Sequence, residues 1–305
     1  MSTIGFWISG VVGRTLAYSV PLLLSTLGEI YAERSGILNL GVEGLMSLGA
    51  FSAFATAFFS GNPWLGVVVS GVVAGCASLV HAFCSVTLRT NQVVSGLALG
   101  MFGMGISGVL GRDFEGKVLA TTLPVFRLPF LSALPGFEKH NVFVYVSLGL
   151  AVILWFVLFH TRWGIVIRSV GENPAACDAM GINVTLVRYS CVFFGGVLAG
   201  LSGAYLSLGY RPSWSYGMTA GMGWLAIALT IFAFWNPLWG MVGAYLFGVL
   251  YHFSFRFQAR VSPELLNTLP YLFPLVALSF VSRLAARRRV GPPASLGVPY
   301  QRGSS

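Results

Sequence analysis

The segment GEIYAERSGILNLGVEGLMSLGAF, residues 28–51, places three carboxylates, an arginine and an asparagine at the start of a largely apolar run. The five are Glu29, Glu33, Arg34, Asn39 and Glu43. The apolar run has the composition of a helix in lipid, where a carboxylate needs a partner or water. The segment therefore predicts a membrane helix that begins with a group of polar side chains.

Composition extends this prediction to the whole chain of 305 residues, which is 56% hydrophobic and 9% charged. Soluble domains carry about 25% charged residues, so lipid is the expected solvent. The net charge is +9, from 18 basic and 9 acidic residues. We expect the excess of basic residues to lie in cytoplasmic loops that face anionic lipid. A nucleic-acid partner is not expected, because no basic stripe is interleaved with exposed aromatics.

Apolar runs of spanning length predict an all-α membrane protein, a polytopic helical bundle with roughly eight to ten transmembrane helices. The nine candidate spans are residues 4–27, 40–59, 64–88, 93–110, 142–160, 187–208, 222–234, 238–257 and 266–284. Residues 1–284 form the predicted transmembrane domain, and residues 285–305 a disordered tail. Basic residues in the tail place it in the cytoplasm, so nine crossings put the N-terminus outside. Glycines four residues apart, such as Gly196 and Gly200, predict close helix packing within the bundle.

Motifs for catalysis are missing from the sequence. It contains no G-x-x-x-x-G-K-[ST], H-E-x-x-H or G-x-S-x-G, and its four histidines form no cluster. The four cysteines form no C-x-x-C pair. We therefore expect no enzymatic activity, no cofactor and no metal site.

Asn39 and Glu43 are four residues apart and share one face of a helix predicted to start near Leu38. One interpretation makes them caps of that helix, with Glu29, Glu33 and Arg34 in a hydrated loop. The other places Asn39 and Glu43 in a polar seam between helices, on the translocation pathway. The residues alone leave both interpretations open.

Three stretches together resemble the permease subunits of bacterial ABC importers for branched-chain amino acids, ribose and nucleosides. They are ERSGILNLGVEG, IRSVGENPAACDAMGINVTLVRY and GMTAGMGWLAIALTIFAFWNPLWG, which begin at residues 33, 167 and 217. Their order and spacing agree with that family over nearly the whole chain, and most closely with its nucleoside and simple-sugar branch. The resemblance implies a multi-pass protein of the bacterial inner membrane. It also implies three protein partners: a cytoplasmic ATP-binding subunit, a second and non-identical permease subunit, and an extracytoplasmic solute-binding lipoprotein.

The resemblance gives the loop of residues 161–188 a role, since the family has a coupling helix there that docks on the ATPase subunit. The sequence suits a short helix, with a capping asparagine, a proline in the first turn and a terminating glycine. Without the resemblance, an ordinary connecting loop explains it equally well. The predicted coupling residues are Glu172, Asn173, Pro174, Ala175, Ala176 and Gly181.

Further candidates for the translocation pathway lie within the third motif and directly before the fourth span. Residues 222–234 are short for a full crossing and precede a break at Asn236 and Pro237, which can leave polar backbone facing a cavity. Packing and capping are the alternative roles for all of these candidates. Besides Asn39 and Glu43, the predicted pathway residues are Asn91, Gln92, Trp224 and Thr230.

A stand-alone facilitator or an ion-coupled carrier of a small polar solute is the rival function. Such carriers often place several ionisable residues within the membrane or contain matched repeats. Glu43 is the one clear carboxylate inside an apolar run, and no convincing repeat is present. The residues therefore favour a pathway without its own energy source. The resemblance implies that a separate ATPase drives it and that its solutes are nucleosides, with sugars second.

Overall fold

The computed structural model describes residues 3–127, 136–137, 139–257 and 291–301. These residues are almost entirely helical, which confirms the predicted all-α bundle. The helices are α1 Thr3–Arg34, α2 Val42–Ser60, α3 Pro63–Ala82, α4 Gln92–Gly111, α5 Val142–His160, α6 Arg162–Glu172, α7 Pro174–Ala179, α8 Val184–Tyr205, α9 Met222–Phe232 and α10 Pro237–Phe257. One antiparallel pair of two-residue strands, β1 Val125–Phe126 and β2 His140–Asn141, joins the ends of the loop before α5.

Six helices of the described chain are long and apolar enough to cross a membrane, and they correspond to the first six predicted spans. The seventh is the short helix α9, with 11 residues, and the eighth is the 21-residue helix α10. The predicted span 266–284 lies outside the described residues.

The first two helices differ from their predicted bounds. Helix α1 continues to Arg34, so Glu29 and Glu33 lie buried in its last turns rather than in a hydrated loop. Helix α2 begins at Val42, after the cap residue Gly41, rather than near Leu38. Glu29 accepts a hydrogen bond from the backbone N–H of Asn39, and one oxygen of Glu33 accepts from the indole N–H of Trp235. These bonds offset part of the cost of burying the two carboxyl groups.

Glycines bring the central helices into backbone contact. A Cβ atom added to Gly28 of α1 would lie 2.8 Å from the carbonyl oxygen of Gly195 in α8. One added to Gly44 of α2 would lie 2.7 Å from the Cα of Gly100 in α4. Helix α2 crosses α8 in the same way at Gly49. Small residues thus allow the close helix packing that the glycine spacings predicted.

The segment from α8 to α10 breaks the regular helix pattern. Helix α8 ends in a π-helical turn, Leu206–Tyr210, and α9 then begins beside the first turn of α2. Between α9 and α10 the chain reverses through Phe234 and Trp235, whose φ angles are 52° and 53°. At about 1.5 Å per residue, α9 extends roughly 16 Å, about half of a bilayer core.

Residues 291–301 form turns that pack against α6 and α8. The hydroxyl of Ser295 donates to the carbonyl oxygen of Gly171 at 2.7 Å and accepts from Arg188 Nη2 at 3.1 Å. The backbone N–H of Ala294 donates to the Glu172 carboxylate at 3.3 Å. The predicted disorder therefore does not extend over these eleven residues, because they supply partners to buried polar groups. The boundary between the membrane domain and the tail stays a prediction.

Candidate functional site

Glu43 joins α2 to the N-terminus of α9. Its carboxylate accepts hydrogen bonds from the Thr219 hydroxyl at 2.6 Å and from the backbone N–H groups of Gly221 and Gly223 at 2.8 and 2.6 Å. The side chain is 4% exposed. The first N–H groups of a helix have no partner within the helix, and the helix dipole favours negative charge there. Glu43 therefore caps a helix that starts inside the bundle.

Asn39 lies before α2, so it does not share a helix face with Glu43. Its side-chain oxygen accepts from the backbone N–H of Gly41 at 2.9 Å, and its own N–H donates to the Glu29 carboxylate at 3.0 Å. The side chain closes a local turn instead of capping the second or third helical residue. The shared-face prediction was wrong because the chain stays irregular through Gly41.

Gln92 and Asn91 have different environments although they are adjacent. Gln92 is buried, and its side-chain oxygen accepts from the backbone N–H of Leu38 at 2.8 Å. Asn91 is exposed and caps α4 through bonds to Val93 and Val94. His81 adds a contact between its Nε2 and the Leu38 carbonyl oxygen at 3.1 Å. Gln92 and His81 thus hold the irregular segment before α2 in place.

Trp224 and Thr230 lie apart on α9. Trp224 is 41% exposed, whereas Thr230 is fully buried and donates to the Ala226 carbonyl oxygen at 3.0 Å, within its own helix. Among the described residues, neither Trp224 nor Thr230 forms a hydrogen bond with Glu43. The structure therefore gathers Glu43, Asn39 and Gln92 around the start of α2, with Trp224, Thr230 and Asn91 elsewhere.

Sequence reasoning missed the partners of Glu33 and Arg34. The indole N–H of Trp235 donates to the Glu33 carboxylate. Arg34 donates from Nε to the carbonyl oxygen of Trp235 and from Nη2 to that of Phe234, both at 3.1 Å. The end of α1 thereby fixes the reversal between α9 and α10. The Trp-Asn-Pro sequence signals a break in the chain. No local pattern, however, indicates that Glu33 and Arg34, about 200 residues earlier, bind this break.

Helix α7 is a short amphipathic helix on the loop between α5 and α8. The Asn173 side chain accepts from the Ala176 N–H at 2.9 Å, Pro174 opens the helix, and Gly181 follows it with a φ of 83°. Cys177 is 3% exposed and packs with Val170 and Val184.

The opposite face of α7 is open. Glu172, Asn173, Ala175, Ala176, Ala179 and Gly181 are exposed, and Met180 is 78% exposed. On the buried face of the helix, by contrast, burial raises the pKa of the Cys177 thiol. A helix anchored on one face by a buried residue, with small residues on the other, can receive a closely fitting partner.

A multi-pass helical protein with a capped half-length helix inside its bundle is typical of membrane transport proteins. The family model described as the permease component of the branched-chain amino acid transport system matches residues 11–279. The chain belongs to this family, which confirms the resemblance seen in the three sequence motifs.

Curated relatives cover nearly the full chain. TsgC13 of Haloferax volcanii, which is provisionally named as a glucose ABC transporter permease, is 36% identical over 96% of this chain and 98% of its own length. The guanosine ABC transporter permease NupQ of Bacillus subtilis is 34% identical over 97% and 98%. The nucleoside ABC transporter permease NupC of Lactococcus lactis is 32% identical over 95% and 96%.

Bacillus subtilis also has a second guanosine ABC transporter permease, NupP, which is 28% identical over 72% of this chain and 66% of its own length. The chain is thus an ABC transporter permease in the plasma membrane. It is not an enzyme, since ATP hydrolysis in such transporters belongs to a separate subunit.

Proposed function

We propose that this chain forms half of the pathway of an ATP-driven importer for nucleosides, with sugars as the second candidate class of solute. A cytoplasmic ATPase subunit would act on it through the loop of residues 161–188. The observation that carries the proposal is the form of α7, which exposes Ala175 and Ala176 while Cys177 anchors it.

Packing around α7 gives a route for motion from the ATPase to the bundle. Cys177 contacts Val184 at the start of α8 and Val170 in α6. Helix α6 in turn lies against α1, because a Cβ atom on Gly171 would meet the backbone carbonyl of Arg34. A displacement of α7 is therefore passed to α8 directly and to α1 through α6. The proposed coupling residues Glu172, Asn173, Pro174, Ala175, Ala176 and Gly181 would contact the ATPase, and all but the partly buried Pro174 are exposed.

The proposed complex contains a second, non-identical permease and an extracytoplasmic solute-binding lipoprotein. The two guanosine permeases of Bacillus subtilis, NupP and NupQ, support a paired arrangement. The lipoprotein would release solute at the outer loops, residues 111–141 and 211–221. Since a ligand shifts a conformational equilibrium only by binding its two states differently, ATP on the ATPase would have to favour one permease state.

The polar segment around Glu43 would border the pathway. Hydrogen bonds there join Glu43 to the start of α9, Asn39 to α1, and Gln92 of α4 to the segment before α2. Glu43 and Asn39 serve there chiefly to hold the broken helix and the irregular segment in place. Trp224 and Thr230 remain predicted pathway residues, and Trp224 could face the second permease.

The test uses proteoliposomes that contain this chain, its partner permease, the ATPase and the binding protein. Ala175→Trp places a bulky ring on the exposed face of α7, and Ala120→Trp makes the same change in the exposed outer loop. We expect Ala175→Trp to abolish ATP-dependent guanosine uptake and copurification of the ATPase. Ala120→Trp should leave ATPase copurification unchanged.

Normal uptake by the Ala175→Trp complex would contradict the coupling role. Guanosine flux through the chain alone, without nucleotide, would favour the rival function of a stand-alone facilitator or ion-coupled carrier.

A further inference from the structure

A cavity of about 300 Å³ lies beside the start of α9. Its walls come from α1, the end of α8, the segment before α9, the first turn of α9, and α10. Four aromatic side chains dominate the lining, with one cation and one methionine of α9. These six residues are Tyr18, Tyr210, Phe247, Tyr251, Arg211 and Met222.

The aromatic rings are arranged as stacking surfaces. Tyr18 and Tyr251 are stacked, with ring centroids 3.9 Å apart and an angle of 11° between the ring planes. Tyr210 meets Tyr18 edge to face at 6.3 Å. Both stacked rings line the cavity, so a planar solute that enters it would meet aromatic surface, and stacking of this kind is insensitive to the ring's substituents.

The cavity reaches the centre of the proposed pathway. Met222 in its lining precedes Gly223, whose N–H is bound by Glu43, and Arg211 directly follows the π-helical turn at the end of α8. The cavity thus connects the outer end of α8 to the N-terminus of the half-length helix.

We propose that this cavity is a transient solute site that binds a planar heterocycle, the base of a nucleoside, by stacking on Tyr18 or Tyr251. The site rests on the proposed function of the chain as a nucleoside permease. Its volume is at the lower end of the range for small-molecule sites.

The lining favours a base over a sugar. A hexose carries hydroxyl groups on nearly every carbon, and each needs a hydrogen-bond partner when it leaves water. Among the lining residues that the structure describes, no carboxylate or amide side chain is present, although these groups commonly pair with sugar hydroxyls. An aromatic lining instead matches the π-face of a base, and Arg211 can donate to its carbonyl oxygen or ring nitrogens.

Direct binding to the purified transporter complex, without the binding protein, tests the site. The probe is 2-aminopurine riboside, whose fluorescence is quenched by stacking, and the competitors are guanosine and glucose. We expect quenching that guanosine reverses and glucose does not. Tyr18→Leu should weaken binding roughly tenfold, as expected for loss of one stacking partner, whereas Tyr18→Phe should retain it.

Two further variants keep the result interpretable. Tyr145→Leu removes a tyrosine that does not line the cavity and should bind the probe as the original protein does. Tyr210→Leu changes a second lining residue, which is partly buried. We expect it to weaken probe binding, so it tests the site if Tyr18→Leu fails to assemble.

Unchanged probe affinity in Tyr18→Leu and Tyr210→Leu, or equal competition by glucose, would overturn the site. If ATP-dependent uptake by the complex persists in that case, the proposed function still stands. Absence of ATP-dependent uptake of every tested solute would instead overturn the proposed function, and the site with it.

Discussion

The carboxylate of Glu43 lies 2.6 Å from the backbone nitrogen of Gly223, and through this bond the second helix holds the first turn of the ninth. Two further donors, Thr219 and Gly221, use the same carboxylate. A charged side chain that looks misplaced in an apolar sequence is therefore the cap of another helix.

Removal of this cap should destabilise the protein. Glu43→Ala leaves the buried Thr219 hydroxyl and Gly223 N–H, and the partly buried Gly221 N–H, without their acceptor. Each of the two buried groups should cost about 1–3 kcal/mol. Glu43→Gln keeps one acceptor oxygen and should cost less. Thermal unfolding in detergent measures both changes, and Asp113→Asn at an exposed position is the control. A melting temperature for Glu43→Ala equal to that of Asp113→Asn would contradict the capping role.

The reversal between α9 and α10 should depend on the guanidinium geometry of Arg34. Arg34→Lys keeps the charge but cannot reach two carbonyl oxygens with a planar pair of donors. We expect a loss of about 1 kcal/mol in unfolding free energy, as for one missing hydrogen bond. The exposed residue Arg162 gives the matched change Arg162→Lys, which should leave stability unaltered. Equal stability of the two variants would rule out this role of Arg34.

The thiol of Cys177 should react slowly with maleimide at pH 7 to 8. Burial blocks access and raises its pKa, so less reactive thiolate is present, and the rate should rise as the pH is raised. The measurement uses a chain with Cys76, Cys84 and Cys191 replaced by serine. Ala175→Cys with Cys177→Ser in that chain is the exposed control and should react faster. Comparable rates would show that α7 is not anchored at Cys177.

The tail contact should contribute modestly to stability. Ser295→Ala removes the acceptor of a hydrogen bond from Arg188, which is 1% exposed, and the donor to Gly171. We expect a loss of about 1 kcal/mol, or a few degrees in melting temperature. Val298→Ala changes an exposed residue of the same segment and should have little effect. A melting temperature unaffected by Ser295→Ala would mean that this contact is absent in solution.

Much of the fold follows from local sequence properties. Long apolar runs located six spanning helices, and Asn173, Pro174 and Gly181 marked the bounds of α7, because these signals act within a few residues. The glycine spacings indicated close packing but not which helices would meet.

The site was less predictable. The sequence singled out Glu43 and Gln92, yet their partners Gly223 and Leu38 are distant in sequence and are backbone groups. The aromatic cavity gathers residues from four parts of the chain, and each tyrosine alone resembles an ordinary packing residue. Only the three-dimensional arrangement distinguishes them.

Backbone contact among the central helices limits how this protein can change shape. Helices α1, α2 and α8 touch at Gly28, Gly49 and Gly195, so rotation of any one about its own axis would drive side chains into its neighbours. Helix α10 is held against α1 in a similar way, because a Cβ atom on Gly248 would collide with Ser19 Oγ and lie 3.2 Å from the Thr15 backbone oxygen. We therefore expect these four helices to move together as one block when the protein changes conformation.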